Sequence, residues 1–309
     1  LPIKSLEIVR PAETEAATPG ILIDVLELCK ARITVLVLVS TAMGYLLAEK
    51  SLAIPRPLDL PNLLGALVGA TLVSLGINVI NQWMERDIDA LMIRTANRPL
   101  PAGRLNPSRV FIIALALTLL GLVILFYGTN TITGFIGVAV VVLYLLVYTP
   151  LKRRTQWNTF VGAIPGALPP VLGWSAALGR IDFQAMVLFM IMFFWQYPHF
   201  FPVAWLYRKD YLRGGLVMIS VTDQSGGRLR RSLLFWTVIL ILTTIMPYAK
   251  GFAGPVYLWG AMILGGAFLW VAVRMSRNLN ETTARWMLKA SVIYLPLLFL
   301  LLFFDFRVL

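Results

Sequence analysis

Nine apolar stretches, each long enough to cross a hydrocarbon layer about 30 Å thick as a helix, divide the chain: residues 30–48, 63–83, 109–128, 131–149, 159–178, 184–206, 233–249, 255–274 and 286–304. They predict an all-α membrane protein. The longest connections expected between them are 84–108 and 207–232. Residues 1–26, polar at the start with Pro2, Glu7, Pro11, Glu13 and Glu15, read as a cytoplasmic tail, and 27–309 as a single transmembrane domain.

Composition agrees with this pattern. Of 309 residues, 59% are hydrophobic and 14% charged, and the mean hydropathy is +0.79, which excludes an ordinary soluble globule. A net charge of +12 raises the question of nucleic acid. The distribution of the basic residues answers it. With the N-terminus in the cytoplasm, only Lys50, Arg56, Arg180, Lys250 and Arg307 of the 27 basic residues fall outside, and the other 22 fall inside. This is the positive-inside asymmetry of a polytopic membrane protein, so membrane lipid and not nucleic acid is the expected partner of the charge. It puts both long connections on the cytoplasmic face. The one cysteine, Cys29, excludes an intramolecular disulfide or a thiolate cage, and the one histidine, His199, excludes a histidine-based zinc cluster. No glycine-rich nucleotide loop of the Walker type is present.

One apolar run ends in acids and amides. Asn78, Asn81, Glu85 and Asp89 fall within an arc of roughly 80° on one helix face, with Asp87 pointing elsewhere. Such oxygen donors suit Mg²⁺, which keeps several waters and reaches protein through one or two carboxylates together with substrate phosphate. Arg94 and Arg98 follow and suit the phosphate. The bland alternative is a salt-bridged helix end at the membrane surface. A second polar run lies in the sixth stretch, Trp195-Gln196-Tyr197-Pro198-His199-Phe200, continuing to Asp210. On one continuous helix His199 and Asp210 would share a face about 16 Å apart, with Pro198 free to kink it. His199 is open to three readings: an imidazole hydrogen-bonded to a neighbouring helix, a haem-iron ligand, or a base. Lys152-Arg153-Arg154 opens the fifth stretch, and the small-residue and proline series from Gly162 to Gly173 suits either tight helix packing or a substrate wall.

Together these residues resemble the UbiA superfamily of intramembrane prenyltransferases, and within it the haem-farnesylating branch. The resemblance rests on Asn81-x-x-x-Glu85-x-Asp87-x-Asp89, Met92-x-Arg94-Thr95-x-x-Arg98-Pro99-Leu100-Pro101-x-Gly103, Leu28-x-Lys30-x-Arg32, Tyr148-Thr149-x-Leu151-Lys152-Arg153, the Asn158 to Pro170 series, and Trp195-Gln196-x-Pro198-His199 with Asp210-Tyr211. Two positions depart from the superfamily pattern: Glu85 replaces its middle aspartate, and His199 with Asp210 replaces several aspartates of its second motif. The resemblance implies a UbiA-type bundle of nine helices around a central cavity open laterally to lipid, in the inner (cytoplasmic) membrane. It implies transfer of a farnesyl group from farnesyl diphosphate to a vinyl group of haem b, with water addition, giving haem O. In that scheme Asn81, Glu85, Asp89 and, less centrally, Asp87 bind Mg²⁺, while Asn81, Glu85, Asp89 and Asp210 are catalytic. Arg94, Arg98, Lys152 and Arg153 clamp diphosphate, His199 faces haem b, and haem A synthase or a terminal oxidase in assembly takes the product. Rival readings are another superfamily member acting on an aromatic or quinone precursor, and a transporter, whose polar groups would lie near the bilayer midplane.

Overall fold

The computed structural model describes residues 20–223 and 225–308. Residues 1–19 of the expected tail lie outside them, but from Ile21 the chain is helical. α1 (Ile21–Leu28) is a two-turn helix whose apolar residues Ile21, Leu22 and Ile23 are exposed. The division expected at residues 26 and 27 therefore falls inside a helix. What holds α1 is a buried charge: Asp24, 3% exposed, pairs with Arg104 at 2.6 Å. Arg104 keeps that carboxyl below the usual carboxylate range.

Nine membrane-length helical segments follow among the described residues. They are α2 (Ala31–Lys50), α3 (Leu60–Asp89), α4 (Pro107–Gly128), α5 (Thr131–Val141) running through a π-helical stretch (Val142–Tyr148) into α6 (Thr149–Leu151), α7 (Asn158–Ala167) joined to α8 (Pro169–Leu178), α9 (Phe183–Leu206), α12 (Gly227–Ala249), α13 (Pro255–Arg277) and α14 (Glu281–Phe304). Two short helices, α10 (Arg208–Arg213) and α11 (Ile219–Thr222), lie between α9 and α12. The starts are set locally. Asp59, Asn106, Asn130 and Asn280 accept hydrogen bonds from the first backbone amides of α3, α4, α5 and α14, satisfying donors that a helix leaves open.

α3 has 30 residues, about 45 Å of helix against a hydrocarbon layer of about 30 Å. The first residues of the expected 84–108 connection thus remain helical, and this carries Glu85 and Asp89 onto the same face as Asn81. The fifth span is divided at Leu168, because Pro169 and Pro170 cannot donate to the preceding turn. α9 instead stays continuous through Pro198 and Pro202.

Glycines bring helix backbones together. A Cβ on Gly173 would meet backbone atoms of Thr41 and Tyr45, and one on Gly44 would meet the backbone of Pro170, so α2 and α8 touch main chain to main chain. Gly69 and Gly76 of α3 and Gly121 of α4 do the same for that pair. Gly173→Ala and Gly44→Ala should each destabilise the bundle by about 1–3 kcal/mol through overpacking. Gly266→Ala, where a Cβ meets nothing within 4 Å, should leave stability unchanged. Thermal unfolding of the three variants in lipid nanodiscs provides the comparison.

Candidate active site

The polar face of α3 forms one wall of a cavity of about 430 Å³. Residues Ala70, Val73, Ile77, Asn81, Glu85 and Asp89 recur at helical spacing along this wall, so it passes from apolar to acidic over about 28 Å of helix. α2, the π-helical stretch, α7, α9 and the 211–219 segment complete the enclosure. Ile33 and Phe200 line it too and are 49% and 37% exposed. Gly162 and Gly166 serve both functions considered for their series: they line the cavity, and their missing side chains admit the Tyr148 ring and the Gln196 amide.

At the acidic end each oxygen donor meets a cation. Lys152 Nζ lies 2.8 Å from Glu85 Oε1 and donates to Oε2 at 3.0 Å. Arg98 Nη1 donates to Asp89 Oδ2 at 2.6 Å. Lys30 Nζ donates to Asn81 Oδ1 at 2.9 Å, while Asn81 Nδ2 donates to Thr149 Oγ1 at 3.1 Å. Glu85 Oε1 is buried and accepts no hydrogen bond, although Lys152 Nζ lies within ion-pair distance of it. Among the described residues no three carboxylate, imidazole or thiol side chains converge into a ready-made metal cage. Two carboxylates, one amide oxygen and an orphaned lone pair nevertheless fit a hard divalent cation that brings its other oxygens with it.

The sequence-based site residues divide. Asn81, Glu85, Asp89, Arg94, Arg98, Lys152 and His199 all line the cavity, with Asn78 beside them. Asp87 does not: its side chain is 85% exposed and faces Arg86. Arg153 is exposed and also stays outside. Asp210 requires the largest correction. α9 ends at Leu206, and Tyr207 leaves helical geometry at φ −105°, so Asp210 begins a new direction on α10 instead of continuing the His199 face. Its carboxylate is buried and accepts the backbone amides of Ile93 and Arg94, each at 3.2 Å, and Arg213 Nη1 at 3.2 Å. It does not line the cavity and acts as the anchor of the connection that carries Arg94. Arg94 itself lies over the Tyr207 ring at 4.6 Å.

Lys30 is the site residue that sequence reasoning passed over. It belonged to a motif match, but a lysine at the start of an apolar span is an ordinary topology signal. In the fold it has φ 45°, the one left-handed non-glycine among the described residues, and this turn aims it into the cavity. Four cationic side chains, Lys30, Arg94, Arg98 and Lys152, stand around two carboxylates in the lining, leaving the mouth short of negative charge.

His199 makes the interhelical bond that one reading expected. Its Nδ1 lies 2.9 Å from Ser291 Oγ on α14. Ser291 donates its own proton to the Leu288 carbonyl at 2.7 Å, so its oxygen accepts from Nδ1–H and Nε2 keeps the lone pair. Trp195 stacks on the imidazole at 4.8 Å and donates to the Ser291 carbonyl at 2.8 Å, fixing the ring. Tyr144 and Tyr148 also enter the cavity from the π-helical stretch, a distortion common at functional sites. Tyr144 donates to Asn78 Oδ1 at 3.4 Å.

A model described as the UbiA prenyltransferase family matches residues 37–302. Among curated proteins, a protoheme IX farnesyltransferase from Solibacter usitatus (strain Ellin6076) is 42% identical over 286 residues, covering 91% of this chain and 98% of its own. Another from Koribacter versatilis (strain Ellin345) is 40% identical over 298 residues, covering 93% and 95%. Among solved structures, a digeranylgeranylglyceryl phosphate synthase superposes with TM-score 0.74 at 19% identity over 92% of this chain and 98% of its own. A UbiA homolog from Archaeoglobus fulgidus bound to DMAPP and Mg2+ superposes with TM-score 0.63 at 15% identity over 90% and 99%.

Asp210→Asn should loosen the connection it anchors. A hydrogen bond to a charged group contributes about 1.5–3 kcal/mol, so amide exchange at Ile93 and Arg94 should accelerate by about ten- to a hundredfold, whereas Asp87→Asn should leave those amides unchanged. Hydrogen–deuterium exchange of the two variants reads this directly.

Proposed function

The chain belongs to the UbiA prenyltransferase family, and from that we propose that its cavity transfers a farnesyl group from farnesyl diphosphate to a vinyl group of haem b, with addition of water, yielding haem O and diphosphate. It is a multi-pass membrane enzyme, which we assign to the inner (cytoplasmic) membrane with the acidic mouth facing the cytoplasm, in keeping with the basic residues gathered at that end. The observation that carries the reading is the division of one cavity into a charged mouth and an apolar depth. A substrate with a diphosphate head and a long hydrocarbon tail matches both. Glu85 and Asp89 lie in the last turns of α3 beside the connections, unlike the midplane groups expected of a transporter.

Asn81, Glu85 and Asp89 would hold Mg²⁺. When bound, this ion offsets the charge that accumulates on the departing diphosphate. Arg94, Arg98 and Lys152 grip the diphosphate oxygens and keep the leaving group from recombining. Residues Ile33, Val73, Ile77 and Val140 give the farnesyl chain an apolar bed and exclude water from the allylic carbon until the new bond to the haem vinyl carbon has formed. Water then adds to the resulting cation and releases a proton, leaving a hydroxyethylfarnesyl substituent. His199 is the haem-side residue. Its Nδ1 proton is committed to Ser291, and the lone pair on Nε2 is the free group of a ring held by Trp195.

Purified protein in lipid, supplied with haem b, farnesyl diphosphate and Mg²⁺, should convert haem to a species heavier by one farnesyl group plus one hydroxyl group. Chelation of the metal should abolish conversion. Glu85→Gln and Asp89→Asn should each lower turnover by on the order of 10²–10³, with Asp87→Asn within about threefold of the parent, since it lies outside the cavity. Full turnover after chelation, or equal loss in all three variants, would refute the assignment.

His199→Ala should weaken haem b binding by at least about tenfold and change its absorption spectrum, with farnesyl diphosphate affinity retained. Were His199 only a packing residue, the variant would lose about 1–3 kcal/mol of stability and bind haem with the parent spectrum. Titration of both ligands against the folded variant decides between these outcomes.

A further inference from the structure

Lys30, Lys152 and Arg98 come from three separate places: the turn between α1 and α2, the end of α6, and the connection after α3. Each nevertheless ends on a different oxygen donor of the same helix face, at 2.9 Å on Asn81, 2.8 Å on Glu85 and 2.6 Å on Asp89. The charged pairs are mostly shielded, with side-chain exposures of 12% and 13% for Lys152 and Glu85, and 16% and 3% for Arg98 and Asp89. We propose that these three cations are place-holders that couple metal entry to diphosphate entry: they occupy the ligand oxygens until an anionic diphosphate draws them away, so that the metal and the diphosphate bind together and neither binds well alone. This rests on the reading of Asn81, Glu85 and Asp89 as the metal-binding face.

Three features support it. A bare divalent ion would arrive among cations already within ion-pair distance of its ligands, and it would find no preformed cage to compensate. A diphosphate reverses both terms, since it supplies oxygens to the metal and acceptors to the displaced cations. Lys30 is also held for this purpose at a conformational cost. Its left-handed turn is disfavoured for an L-residue, and Gln82, next to Asn81 on α3, pins that turn by donating to the carbonyls of Leu28 at 2.6 Å and Glu27 at 3.3 Å. The same helix therefore supplies both the donor that fixes the turn and the oxygen that Lys30 covers. Finally, Lys152 reaches both Glu85 oxygens, at 2.8 and 3.0 Å, so one cation covers the whole carboxylate.

The test uses Mn²⁺ as the metal probe, read by electron paramagnetic resonance on the full chain in nanodiscs, with and without one equivalent of a farnesyl thiolodiphosphate that does not ionise. The parent protein should bind Mn²⁺ at least about thirtyfold more tightly when the diphosphate analogue is present. Lys30→Gln and Lys152→Gln, which remove the charge and shorten the side chain by one bond, should raise affinity for Mn²⁺ alone by about tenfold and weaken the analogue, narrowing that ratio. Lys30→Arg should restore it. A parent ratio near one overturns the coupling by itself, whatever the variants do. So does an unchanged or lower affinity for Mn²⁺ alone in both folded glutamine variants. Absence of Mn²⁺ binding even with the analogue would instead remove the metal-binding face and the coupling together, while farnesylation of haem with a ratio near one would remove the coupling only.

Discussion

Two carboxylates shielded from solvent at the end of a membrane-crossing helix cannot keep their charge unaccompanied. Glu85 and Asp89 are neutralised by cations from other parts of the chain, and the need for those cations fixes where the turn before α2, the end of α6 and the connection after α3 must run. Removing one member of such a shielded pair leaves a charge stranded, typically at a cost of about 3–5 kcal/mol. The charge balance of the mouth is therefore also a structural constraint. It ties loops, which would otherwise be free to drift, to a rigid helix face.

The other constraint is volume. α2 and α8 meet main chain to main chain through Gly44 and Gly173, and α3 and α4 through Gly69, Gly76 and Gly121. Of these helices α2, α3 and α8 also wall the cavity, with Thr41, Val73 and Pro169 both beside these contacts and in its lining. The π-helical stretch belongs to the same design. Its wider turn presents Tyr144 and Tyr148 to the cavity, and Gly162 makes room for the Tyr148 ring. Aromatic surface thus reaches the mouth without filling it.

The spans and the α3 face were legible in the sequence because both follow a single helical period. Asn78, Asn81, Glu85 and Asp89 share a face wherever that helix is placed, and the period alone turned Asp87 away. What could not be read depended on where a helix stops. Extending α9 through Tyr207 aligned Asp210 with His199, but the break there redirected the carboxylate to the amides of Ile93 and Arg94. No glycine or proline announces that break. The left-handed turn at Lys30 was equally hidden, since it depends on a glutamine more than fifty residues away in sequence. Arg153 shows the limit of motif proximity: adjacent to Lys152, it projects to solvent.

The anchoring role of Asp210 has a wider reach than its own contacts. α10 holds the connection carrying Arg94. A few residues on, Val217 donates to the Lys152 carbonyl at 2.8 Å and accepts from Asn158 Nδ2 at 2.9 Å, while Arg104 of the same connection grips α1 through Asp24. Four segments distant in sequence are thereby stitched into one plate over the charged end of the bundle. Under the proposed function, a diphosphate held by Arg94 and Lys152 would bear on two segments of this plate at once. A ligand that bridges two stitched segments would stiffen the plate, and by reciprocity a stiffer plate would hold that ligand more tightly.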